Sequence, residues 1–121
     1  MTGDACGSAG PGPSQSLDMA DWIRGRAPRA PGDLEGQVVR EIEAVAGAST
    51  DASEPVAALT EAALRALHRA MAAEGGARAA GFDLLVADGL VTYACEAAAL
   101  AEDPASGLDE VLAAFRKPET P

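Results

Sequence analysis

The sequence predicts an all-α domain: a small bundle of about four helices with a flexible N-terminal arm. Three observations carry this prediction. Roughly a quarter of the 121 residues are alanine, the best helix former, and only 3% are aromatic. Apolar side chains recur at i, i+3, i+4 and i+7 in successive segments, the period of a helix with one buried face. Proline, glycine and serine gather between those segments.

Residues 1–15 are mainly Gly, Pro, Ser and Ala, with almost nothing to bury, which predicts disorder. Ser16 is placed to cap a short helix reaching Arg24, in which Leu17, Trp22 and Ile23 form a small apolar patch; Gly25, Pro28, Pro31 and Gly32 then break it. Residues 1–32 are thus expected to be an arm that docks lightly on a domain spanning 33–117, with a tail at 118–121.

Within the domain, Asp33 is the expected N-cap of an amphipathic helix in which Leu34, Val38, Ile42 and Val45 share a face as far as Gly47. Ser53 is the expected cap of the next, with Pro55 in the first turn, where amides lack partners anyway. Val56, Leu59, Ala63, Leu64, Leu67 and Met71 trace its apolar face. Glu61, Arg65 and Arg69 trace the other, with an i, i+4 ion pair open to the first two. Gly75 and Gly76 end this helix and reverse the chain, so the segment from 77 to 102 returns antiparallel. Asp103 and Pro104 stop it. A weak capping box at Ser106 and Asp109 starts a closing helix with Leu108, Val111, Leu112 and Phe115 on one face.

The segment 77–102 is the most apolar of the chain and supports one alternative. Asp88-Gly89 lies between FDLLVA and LVTYAC, and an Asp-Gly pair between apolar runs is a strong hairpin signal because both residues tolerate positive φ. That alternative makes the fold α+β. The flanking ARAAG and EAAALAE are strong helix formers and neither arm alternates cleanly, which favours one helix. Gly89 inside that helix costs about 1 kcal/mol relative to alanine, so a close neighbouring helix or a local bend is expected there.

The net charge of −10 is unevenly spread. Asp4, Asp18 and Asp21 balance Arg24, Arg26 and Arg29 within the first 32 residues, so the body carries the whole excess. An acidic body repels phosphate backbones and anionic lipid, which argues against nucleic acid and membrane as partners. Asp83, Asp88 and Glu96 interrupt the only stretch approaching a transmembrane length. The N-terminal residues lack the basic start and apolar run of a signal peptide, and Cys6 and Cys95 suggest neither a metal site nor a disulfide framework. A cytoplasmic setting with reduced thiols is the expectation.

No cofactor or metal signature is present, and the polar groups on the apolar segment are the remaining candidates for chemistry. On one helix, Asp88, Thr92 and Glu96 fall at i, i+4, i+8 with Leu85 beside them, either as carboxylates lining a cleft or as a solvated seam. His68, the single histidine, could pair with Asp88 or Cys95 as a base, or simply pack its ring at a helix boundary. Arg24, Arg26 and Arg29 are candidates to grip an acidic partner or a neighbouring protomer, against a plain solvated linker; Trp22 is either a docking anchor or a cover for the domain's own core.

A chain of this size has a thin core, so self-association is a physical way to bury more apolar surface. The favoured function is a non-catalytic helical interaction module. It is expected to form a homo-oligomer, a dimer first, through the apolar helix or its pair with the closing helix, with Phe82, Val86, Tyr93 and Leu100 at the shared surface. A protein partner held by the arm is a further expectation. The alternative is a small enzyme or ligand-binding bundle using His68, Asp88 and Glu96, with Tyr93, around an interhelical cavity.

Overall fold

The computed structural model describes residues 19–26, 29–48 and 54–116. Within them the chain forms five α-helices and no strand: α1 (Met19–Arg24), α2 (Gly32–Ala48), α3 (Pro55–Ala72), α4 (Ala77–Ala99) and α5 (Pro104–Arg116). The all-α prediction holds. The strand hairpin at Asp88-Gly89 does not form, because α4 runs unbroken through both residues.

α3 and α4 make the central antiparallel hairpin, with α2 and α5 each packing on both. Small side chains set this arrangement. Ala58, Ala62, Ala63 and Ala66 on α3 and Ala87, Ala94, Ala97 and Ala98 on α4 are all buried, so the two helices meet along alanine faces with Leu59, Val86 and Leu90 as the larger fillers. Thr60 joins the buried face of α3 by donating its hydroxyl proton to the Val56 carbonyl at 2.7 Å, so its own hydroxyl is paired inside.

Helix boundaries depart from the expectations in consistent ways. α2 starts one residue before Asp33, its first turn closed by the Glu35 amide on the Pro31 carbonyl at 2.8 Å. Asp33 therefore sits inside the first turn, where it faces the positive end of the helix, and does not cap it. Glu54 caps α3, accepting the Ala57 amide at 2.9 Å with Pro55 next in line; the Ser53 and Ser16 caps lie outside the described residues. Asp103 caps α5 through the Ser106 amide at 3.3 Å, so Ser106 is capped and does not cap. Glu54 thus lies one residue after Ser53, and Asp103 three residues before Ser106.

α3 stops before the two glycines: Ala73 is left-handed (φ 55°), its amide bonded to the Arg69 carbonyl at 3.1 Å. Gly76 then takes φ 90°, a conformation suited to glycine, to launch α4. Among the described residues Glu61 and Arg65 do not pair; Arg69, one turn on, reaches across the bundle.

α1 is part of the core. Met19 and Ile23, one turn apart, are fully buried, and Trp22 packs beside them. The apolar core therefore takes in part of the expected arm, before residue 33.

Two helical glycines differ in what surrounds them. A Cβ on Gly89 would meet only Val38 Cγ2, at 3.9 Å, an ordinary contact. A Cβ on Gly107 would lie 2.9 Å from Ala98 Cβ and 3.3 Å from Ala98 Cα, so glycine lets α5 approach α4. Gly89→Ala is therefore expected to stabilise the protein by about 0.5–1 kcal/mol. Gly107→Ala should destabilise it by about 1–3 kcal/mol through overpacking. Urea midpoints moving in the same direction for both would contradict this assignment.

Candidate functional site

Three places gather the polar and exposed apolar side chains. The first is the junction of α1, α2 and α4. Arg26 Nε donates to Glu96 Oε1 at 3.0 Å while its guanidinium lies 4.7 Å from the centre of the Trp22 ring. Trp22 meets Tyr93 edge-on at 6.1 Å. Arg29 grips Glu35 through two parallel bonds of 2.9 and 2.8 Å. The hydrogen bonds from Arg29 hold the Glu35 carboxyl below the usual glutamate range. Burial, with the negative Glu96 and Glu35 nearby, pushes the Tyr93 phenol up. The arginines expected to reach outward thus engage the body of their own chain, apart from Arg24, whose contact is a 3.5 Å exposed pair with Asp21.

The second place links α2, α3 and α4. Arg69 donates to both oxygens of Glu41 at 3.2 and 2.6 Å and to Asp83 at 3.4 Å, and Gln37 Nε2 adds a 2.7 Å bond to Glu41. Glu41 is buried, so these bonds replace the water it lost. Sequence pattern alone placed Arg69 on a solvated face. Its length is what lets it cross to α2. An open groove beside this network is lined by His68, Glu74 and Gly75 as well as Arg69 and Asp83.

The catalytic candidates do not converge. His68 is exposed at the hairpin tip, in the same groove as Asp83. Glu96 lies thirteen residues further along α4, about 20 Å at 1.5 Å per residue, where Arg26 holds it. Asp88 is exposed, its carbonyl accepting the Thr92 hydroxyl at 2.9 Å. The cleft of carboxylates is thereby corrected: Asp88 and Thr92 form a solvated seam, and Glu96 serves the α1 junction. No nucleophile–base–orienter arrangement joins His68, Asp88, Glu96 and Tyr93.

The third place is apolar. Of the residues expected at a shared surface, Val86 and Tyr93 are buried within this chain and cannot contact another copy; Leu100 is half-buried at the end of α4, and Phe82 is exposed near Gly32, Gly36 and Arg40. The larger exposed set lies elsewhere. Leu108, Leu112 and Phe115 stand at i, i+4 and i+7 along α5, with Leu112 56% exposed, and Leu84 and Leu85 on α4 are 54% and 57% exposed. Val111 is the one side chain of α5 that is fully covered. The α5 spacing is that of an ordinary helix with one buried face, so the sequence carried no signal that these side chains stay outside.

Comparison with protein-family models, with curated proteins and with solved structures finds no match to this chain. Among the described residues no helix is long and apolar enough to cross a membrane.

Arg69→Ala is expected to lower stability by about 1–2 kcal/mol, an amount kept modest by the partial exposure of the guanidinium. Arg69→Lys should recover part of the loss but not the paired geometry, as read from urea midpoints. The Arg29–Glu35 contribution has the sign of a lowered acid. It is complete above the ordinary glutamate value of 4.5 and fades as pH falls through the lower folded-state value. Between pH 7 and pH 3 the wild type should lose more stability than Glu35→Gln; equal losses would separate Glu35 from acid unfolding.

Proposed function

We propose that this chain is a non-catalytic helical interaction module that pairs with a second copy through the outer face of α5 and the exposed leucines of α4. The observation that carries this reading is the stripe Leu108, Leu112 and Phe115. Both phenylalanines of the chain are exposed while eight alanines are buried, the reverse of what size alone favours for a free-standing core. Contiguous apolar patches larger than a few hundred Å² mark association sites on small proteins. A cytoplasmic setting is part of the same proposal.

Each body carries the full acidic excess, so two copies repel at long range and the apolar stripe must outweigh that repulsion. Pairing is therefore expected to tighten with added salt. Sedimentation equilibrium at tens of micromolar should give a dimer whose fraction rises with sodium chloride, and Leu112→Glu should give a folded monomer. A wild type that stays monomeric at high salt would end this reading.

A further inference from the structure

α1 is seated as a ligand would be. Met19, Trp22 and Ile23 stand at i, i+3 and i+4, the spacing with which an amphipathic helix fills a groove, and Arg26 follows them onto Glu96. Asp21 and Arg24 point away and pair with each other in solvent. The receiving surface is the seam of α2 and α4, with Tyr93 against the indole and Glu96 beyond it.

As a ligand α1 fits imperfectly. The Trp22 indole Nε1 is buried with no hydrogen-bond partner among the described residues, a cost that release of α1 to water would relieve. Gly25 ends the helix before Arg26, so the cation reaches Glu96 from a turn.

We propose that the α2/α4 seam is a helix-binding groove, filled in cis by α1, whose exchange partner is a basic amphipathic helix of another protein with large apolar side chains at i, i+3 and i+4 followed by an arginine. The acidic body attracts such a helix, and Glu96 supplies the anchor for its cation. The α5 stripe takes no part, so this exchange and the proposed pairing are separable.

The full-length double variant W22A/R26A tests it, since Trp22 is the single tryptophan and its removal leaves a silent protein. A synthetic peptide of residues 17–29 then reports its own docking by a blue shift in emission. It should bind this variant at least about tenfold more tightly than it binds wild type, where α1 occupies the groove. Adding Glu96→Gln should weaken that binding. Equal affinity for variant and wild type, no saturation, or indifference to Glu96→Gln would overturn the proposal. If circular dichroism shows the double variant unfolded, the same peptide with phenylalanine for its tryptophan is added to wild type. Displacement of α1 should shift Trp22 emission to the red, and unchanged emission at saturating peptide overturns the proposal. A wild-type dimer that survives Leu112→Glu but is lost in W22A/R26A would place a second copy's α1 in the groove and equally overturn it.

Discussion

Close approach of α3 and α4 along facing alanines governs the rest of this structure. Alanine at Ala58, Ala62, Ala66, Ala94 and Ala98 lets two helices meet with little side chain between them. The seam is well packed but thin, and it hides little apolar area per residue. Two consequences follow. α2 and α5 must each lean on both central helices to find enough surface, and Phe82, Leu84 and Leu85 of α4 with Leu108, Leu112 and Phe115 of α5 are left outside.

Charge is arranged around that thin core. The buried Glu41 is held by Arg69 and Gln37, Glu35 by Arg29, and Glu96 by Arg26. In each case an arginine from another helix or from the chain between α1 and α2 covers an acid on α2 or α4. Among the described residues most other acids face water, where repulsion is screened within about 8 Å at physiological salt. Ion pairs here join helices that meet over little apolar surface.

Much of this was legible in the chain. The helix period of Leu34, Val38, Ile42 and Val45, the glycine-rich reversal before Ala77 and the continuity of α4 through Asp88-Gly89 all follow from local pattern, because helix propensity and amphipathic spacing act over a few residues. The apolar spacing of α5 was readable too. Boundaries were less so: Glu54 and Asp103 cap where serines were expected, since the choice among neighbouring oxygens depends on where the chain enters the helix.

What composition and period determined was the class of fold, the order of its helices and the acidity of its surface, all properties set by residues close in sequence. Tertiary packing decided which apolar side chains were hidden and which acids were held. Val86 and Tyr93 went inside while Leu112 and Phe115 stayed out, and Arg26 and Arg69 crossed to helices 70 and 28 residues away. No local pattern encodes those outcomes, because the same apolar spacing serves a core or a contact surface. Only the depth at which alanines let two helices meet selects between them.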